Sequence, residues 1–243
     1  MDLKLKGKVA LITGAGSQIG YGKNIALTLA EEGCDIIIGD INLDGAKKTA
    51  AEIEAKGRRV LVVKVNVIDR LEVDNMIKLG IEKFAKIDIL VNNAGASSKM
   101  MSFMDMTKKD WDNDINVNLY GQMNVAQAVL PHMMARKYGR IINTSGGQGI
   151  PSLSLYGAAK GAIVQWTRAL AKEVAHAGVV VTCYSPGLGA TGLTADDPRL
   201  ANLAKVSPLG RLCKPEDIGP LVAFLASDIS TYYAMMLGGS AVG

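Results

Sequence analysis

Val9-Ala10-Leu11-Ile12-Thr13-Gly14-Ala15-Gly16-Ser17-Gln18-Ile19-Gly20-Tyr21-Gly22 is the stretch on which the fold turns. Five residues of apolar, strand-like sequence run into a glycine-rich turn. A helical pattern follows from about Lys23 to Glu32. Glycines let backbone N–H groups come close to a pyrophosphate, and the positive end of the following helix favours its charge. The spacing is not G-x-G-x-x-G, so the general dinucleotide fingerprint is not met as written. A tight strand-to-helix connection with no ligand is the alternative reading of the same residues.

The pattern then repeats. Gly33 stops the first helix, and Asp35-Ile36-Ile37-Ile38-Gly39-Asp40 reads as a second buried strand. Beyond it the periodicity predicts a helix over about 43–56, a strand over 59–65, a helix over 70–85 and a strand over 88–92. Helices over about 107–135, a strand over 139–144, a helix over 154–176 and a strand over 178–184 come next. A looser stretch leads to about residue 214, then a helix over 215–226 and a weakly strand-like end from Ala234 to Gly243. Continuous apolar strands separated by helices imply a parallel sheet with helices on both faces. The expectation is an α/β, doubly wound sheet built from residues 1–243 as one domain, with ligands at the C-terminal ends of its strands.

Composition narrows the function. With 49% hydrophobic and 21% charged residues, the chain has enough apolar surface for a core and is not of the disordered type. A net charge of +4, spread along the chain, gives no dense Lys/Arg cluster, so nucleic acid is not expected as a partner. The N-terminal segment lacks a signal-type apolar core, and no apolar run approaches the ~20 residues of a membrane span. A cytoplasmic protein with no membrane partner is expected. Cys34, Cys183 and Cys213 form no motif and read as reduced thiols, while His132 and His176 have no metal-ligand spacing. No metal is expected.

The chemistry points to Tyr156-Gly157-Ala158-Ala159-Lys160. On a helix, residues i and i+4 share a face. A lysine there can stabilise a phenolate, and bringing a tyrosine from ~10 towards neutrality asks about 4 kcal/mol of its surroundings. So tuned, the phenol exchanges a proton with an alcohol or carbonyl oxygen while a cofactor moves the hydride. The same spacing also occurs on solvated helix faces. Asp40 ends the second strand, 18 residues beyond Gly22. A carboxylate there accepts hydrogen bonds from both ribose hydroxyls of NAD and repels the extra phosphate of NADP. Its alternative is a loop cap. Gly39 and Ile41 bring no basic group, which favours NAD(H) over NADP(H).

Together these pieces resemble the classical short-chain dehydrogenase/reductase family over almost the whole chain. The glycine turn is similar to the family's variant with two extra residues, its glycines falling on Gly14, Gly20 and Gly22. Asn92-Asn93-Ala94-Gly95 resembles the motif after the fourth strand, and Asn116-Val117-Asn118-Leu119-Tyr120-Gly121 the active-site asparagine segment. Tyr156 and Lys160 match the catalytic pair, and Ser185-Pro186-Gly187 with Thr191 the loop beside the nicotinamide. Pro208-Leu209-Gly210-Arg211 and Lys214-Pro215-Glu216-Asp217-Ile218 resemble the segment after a substrate lid, here about 188–214.

The resemblance implies a Rossmann-type fold and a set of roles. Tyr156 is general acid in reduction and general base in oxidation. Lys160 binds the nicotinamide ribose and lowers the Tyr156 pKa, and Asn118 holds a proton-relaying water. Cofactor contacts are expected from Gly14, Ser17, Gly20, Tyr21, Gly22, Asp40, Asn66, Val67, Asn93, Ala94, Gly95, Tyr156, Lys160, Pro186, Gly187 and Thr191. Asn66 stands where the family often has an adenine-contacting aspartate. An ordinary polar residue at a strand end is its other reading.

Two places depart from the family. The serine that hydrogen-bonds the substrate oxygen follows a strand like Arg140-Ile141-Ile142-Asn143-Thr144 as the second of a pair, and here the pair reads Ser145-Gly146. Neighbouring strand residues face opposite ways, so Ser145 serves only if the shortened loop bends it round. Ser145 is taken as the catalytic serine, with Ser152 or Ser154 as substitutes. The C-terminal Leu237-Gly238-Gly239-Ser240 lacks the family's usual aspartate.

The substrate is framed by Ala96 to Met104 and by Gly192 to Leu212. The expected substrate is an apolar or alicyclic secondary alcohol and its ketone. A 3-oxoacyl thioester reductase is the close alternative, with Arg136, Lys137 and Arg140 as a faint docking patch. A catalytically weak nucleotide-binding scaffold is the alternative of another class. By resemblance, the long helices near 107–135 and 154–176 pair across a homodimer or homotetramer.

Overall fold

The computed structural model describes residues 2–97, 100–147, 149–187, 189, 204–205 and 207–232. Its centre is a parallel sheet of β1 (Val9–Thr13), β2 (Asp35–Asp40), β3 (Val60–Lys64), β4 (Ile89–Asn92), β5 (Gly139–Thr144) and β6 (Val179–Tyr184), in the order β3-β2-β1-β4-β5-β6. Register runs from Ile12 opposite both Ile38 and Val91 to Thr144 opposite Tyr184. The helices between strands are α1 (Tyr21–Glu31), α2 (Leu43–Ala55), α3 (Arg70–Phe84), α4 (Lys108–Ile115), α5 (Gly121–Ala135), α6 (Ser154–Val174) and, after β6, α7 (Pro215–Ala226). The doubly wound architecture expected from the sequence is present.

The reason lies in the strands' uninterrupted apolar sequence. Alternate residues face opposite sides of a sheet, and here both sides are apolar. Ala10, Ile12, Ile36 and Ile38 face α1, α2 and α7 through Ile25, Leu29, Ile53 and Val222. Val9, Leu11, Ile37 and Val181 face α3, α5 and α6 through Met76, Val125, Val129 and Leu170. Each fully buried Leu, Ile or Val contributes about 1.5–3 kcal/mol relative to exposure, so burial on both faces holds the layers in register.

Strand order reverses between β1 and β4, which opens a crevice at the C-terminal edge of the sheet. The helices expected over about 107–135 are α4 and α5, and a π-turn at Asn116–Tyr120 separates them. Such a bulge displaces one residue from the i→i−4 ladder, and it sets Asn118 into the interior. The weakly strand-like end at 234–243 lies outside the described residues, as do Thr191 and most of the lid segment at 188–214. Among the described residues, no helix is long and apolar enough to cross a membrane.

Candidate active site

β1 delivers the glycine turn to the switch point. Gly14 has φ +75°, and a Cβ on Gly22 would overlap the Gly14 carbonyl oxygen, so the turn and the first residues of α1 are in backbone contact. The turn is held from three sides. Asn93 Nδ2 donates to the carbonyls of Thr13 (3.1 Å) and Gly14 (2.8 Å). Thr13 Oγ1 accepts from the backbone N–H groups of Asn93 and Ala94, both at 3.1 Å. Gln18 Nε2 reaches the carbonyls of Gly16 (3.1 Å) and Gly45 (3.0 Å), while Thr49 Oγ1 donates to Ala15 O at 2.8 Å.

Gly20 is the N-cap of α1; no side chain caps the helix, and its first turn carries no acidic residue. The helix N-terminus is therefore open to an anion. Asp40, at the end of β2, accepts from Gly16 N at 2.6 Å and from Asn42 N at 2.8 Å. The loop-cap reading of this carboxylate holds in the geometry. It ties the loop, and an ionised carboxylate has about four acceptor positions, so two are left for another donor. A glycine cradle, an uncapped helix start and a carboxylate at the next strand end fit a dinucleotide.

α6 carries Tyr156 and Lys160 against the ends of β4 and β5. Lys160 is 2% exposed, and its Nζ donates to Thr144 O at 3.0 Å. Burial pushes its pKa down to about 8. Its Nζ lies 5.7 Å from the centroid of the Tyr156 ring. The phenol corrects one sequence-based expectation: burial, and then the Asp114 carboxylate, hold Tyr156 above its ordinary value. Lys160 does not offset these two influences in this arrangement.

Asn118 completes the group from the π-turn. Its Nδ2 donates to Ala96 O (2.5 Å) and Asp114 O (2.9 Å), while its buried Oδ1 has no partner among the described residues. A Cβ on Gly95 would lie 2.9 Å from that Oδ1 and 3.7 Å from Lys160 Nζ, so the two polar atoms flank one glycine. An unmade bond on a buried acceptor costs about 1–3 kcal/mol, which marks this Oδ1 as a place for a donor.

Other expected residues are placed differently. Ser145 is 3% exposed, and its Oγ donates to Tyr184 O at 3.0 Å. The loop does not bend its hydroxyl outward; it is committed to β6. Ser154 is exposed, its Oγ 3.9 Å from Met106 Sδ. The Val67 side chain is buried in the core, so only its backbone faces the strand ends. Asn66 Oδ1 accepts from Ile68 N at 3.3 Å, the behaviour of a strand-end cap. Tyr21 donates from its hydroxyl to Gly187 O at 3.1 Å, joining the start of α1 to the Pro186-Gly187 loop. Ser17 lies within the turn beside Gly20.

Several residues were not singled out from sequence. Thr13, Gln18 and Thr49 brace the turn. Gln122 Nε2 donates to Thr144 O at 2.9 Å and Asn118 O at 3.2 Å, linking the lysine's acceptor to the π-turn. Only Thr13, next to the glycines, had a visible signal. Among the described residues no three His, Cys, Asp or Glu side chains gather as a metal site requires.

A dinucleotide cradle and a half-buried tyrosine beside a buried lysine and asparagine, at the switch point of one parallel sheet, define a class: nucleotide-dependent oxidoreductases of the doubly wound fold. The family model for short chain dehydrogenases matches residues 8–199, and the chain belongs to that family. The 3-oxoacyl-[acyl-carrier-protein] reductase FabG of Thermotoga maritima is 38% identical, across 95% of this chain and 94% of its own. The cyclohexanol dehydrogenase of Acinetobacter sp. strain SE19 is 35% identical, across 96% and 92%. The crystal structure of 3-ketoacyl-(acyl-carrier-protein) reductase from Brucella melitensis complexed with NADH superposes with a TM-score of 0.87 at 34% identity, covering 94% of each chain. The protein is an oxidoreductase of this family, whose members bind a nicotinamide cofactor.

Proposed function

We propose that the protein interconverts an apolar or alicyclic secondary alcohol and its ketone with NAD(H). The observation that carries this reading is the position of Tyr156, with Lys160 and the unpartnered Asn118 Oδ1, at the C-terminal edge beside the glycine cradle. The bound nicotinamide supplies or accepts the hydride. Tyr156 gives its proton to the carbonyl oxygen in reduction and takes it from the alcohol in oxidation. Lys160 holds positive charge beneath the site, and Asn118 Oδ1 accepts from the group that returns a proton towards Lys160.

Asp40 supports NAD(H): its charge opposes a ribose phosphate, and its free acceptor positions suit ribose hydroxyls. Gly14, Ser17, Gly20, Tyr21 and Gly22 would line the pyrophosphate. Asn66 and the Val67 backbone would meet the adenine, with Asn93, Ala94 and Gly95 on the adenine-side wall and Pro186 and Gly187 beside the nicotinamide. The cyclohexanol dehydrogenase likeness supports an alicyclic substrate. The same reading makes the protein a cytoplasmic homodimer or homotetramer, and sedimentation as a monomer would contradict that part.

The likeness to FabG supports a second reading, a 3-oxoacyl thioester reductase. Two of the three residues of the docking patch expected for it, Arg136 and Arg140, are otherwise engaged. Arg136 pairs with buried Asp88 at 2.7 Å and Arg140 with Asp228 at 3.0 Å. Both precede or begin β5, whereas Tyr156 lies past its other end, about 20 Å away for a strand of this length. Titration with NADH and NADPH, followed by a panel including cyclohexanone and acetoacetyl-coenzyme A, separates the readings. The proposal expects NADH to bind at least about tenfold tighter and cyclohexanone to be turned over. NADH binding with no carbonyl reduced would leave a nucleotide-binding scaffold.

A further inference from the structure

We propose that Ser185 donates the hydrogen bond to the reacting substrate oxygen, in place of the serine absent at residue 146; this rests on the ketone–alcohol reading above. Gly146 leaves β5 with φ +116°, a conformation L side chains rarely adopt. A Cβ built there would lie 3.4 Å from Ser185 Oγ and 3.5 Å from Pro186 Cδ. The space where a side chain of residue 146 would begin is therefore bordered by the Ser185 hydroxyl.

Sheet register explains the juxtaposition. Thr144 is paired with Tyr184, so residues 145–146 and 185–186 leave adjacent strands together at the C-terminal edge. A Cβ on Gly147 would overlap the edge of the Tyr156 ring, so Ser185 and the phenol border consecutive residues of the same Gly146-Gly147 backbone. The neighbouring hydroxyls are occupied. Ser145 Oγ donates to Tyr184 O, and Thr144 Oγ1 donates to Tyr184 Oη at 3.1 Å. Ser185 is exposed, and its hydroxyl has no hydrogen bond among the described residues.

In reduction the carbonyl carbon receives the hydride and the carbonyl oxygen receives the Tyr156 proton. Ser185 keeps its own proton and stabilises the charge that grows on that oxygen. Such a donor is worth about 100-fold or more in rate.

The test compares Ser185→Ala, Ser185→Thr and Ser145→Ala with the wild type, using the best ketone of the panel. A binding readout is added: the affinity of the NADH complex for cyclohexanecarboxamide, an unreactive carbonyl mimic. Ser185→Ala is expected to lose about 100-fold in kcat and about tenfold in amide affinity, with NADH affinity within about twofold. Ser185→Thr should recover most of both, and Ser145→Ala should stay within about threefold of the wild type. The proposal is overturned if Ser185→Ala keeps its kcat, if its loss merely tracks lost NADH affinity, or if Ser145→Ala shows the loss instead. A wild type that reduces no ketone overturns the parent reading, and the wild-type rate alone tells that result apart.

Discussion

Lys160→Met should abolish catalysis yet make the protein more stable. The wild-type ammonium is buried beneath the site, and its pKa falls from the ordinary 10.5 to about 8 through burial. At ~1.4 kcal/mol per tenfold change, holding that lysine ionised in the fold costs about 3 kcal/mol. Methionine fills a similar volume without charge. Its substitution removes one hydrogen bond to Thr144 O, worth about 1 kcal/mol. That carbonyl keeps the Gln122 Nε2 bond at 2.9 Å, so no orphan acceptor is left. The net expectation at pH 7 is about 2 kcal/mol of added stability.

The pH dependence fixes the cause. Between about 8 and 10.5 the unfolded chain holds the lysine proton and the folded chain has released it. Wild-type stability therefore rises with pH through that window, relative to the variant. Below about 8 both states are protonated and the penalty stands in full. Urea unfolding of both proteins without cofactor, at pH 7 and at pH 10, measures this directly. The variant's advantage should be about 2 kcal/mol at pH 7 and mostly gone at pH 10. A variant less stable than the wild type at pH 7, or an advantage equal at both pH values, would refute the reasoning.

Three further outcomes are expected. Asp40→Ala should shift the NADPH-to-NADH affinity ratio at least about tenfold towards NADPH and lower stability by about 1–2 kcal/mol, because Gly16 N and Asn42 N lose their acceptor; fluorescence titration and unfolding midpoints check the two parts. Gly146→Ser should not raise kcat, and the strain of a side chain at φ +116° should lower stability by about 2 kcal/mol, seen as a Tm roughly 4–8 °C lower. Arg136→Ala should lose about 2 kcal/mol at neutral pH without changing KM for acetoacetyl-coenzyme A. Burial raises the Asp88 pKa, but hydrogen bonds from Arg136 and Val9 N outweigh it, so the net direction is below 3.8. The difference between Arg136→Ala and the wild type should therefore close as pH falls below 3.8.

The sheet was legible because its strands are apolar on both faces, and a run such as Asp35–Asp40 bounded by Gly33 admits few other readings. The pair Tyr156 and Lys160 was legible for a similar reason, since helical periodicity places i and i+4 together wherever the helix packs. What could not be read were facts of loop geometry. The π-turn that sets Asn118 has helix-compatible sequence on both sides and no local signal. The Ser145 hydroxyl turned to Tyr184 because β6 offers a carbonyl at hydrogen-bond distance, a neighbour 39 residues away in sequence. Ser185 gained its position the same way, through strand register. The sign of the tyrosine's shift depended on burial and on Asp114, which spacing along a helix does not report.

The central claim is that the Tyr156 phenol donates the proton to a carbonyl beside bound NADH. It is tested most directly by Tyr156→Phe, which keeps the ring against Gly147 and removes only the hydroxyl. With NADH affinity unchanged, NADH oxidation by the wild type's best ketone should fall about 100- to 10,000-fold. A variant that keeps the wild-type rate would contradict the account.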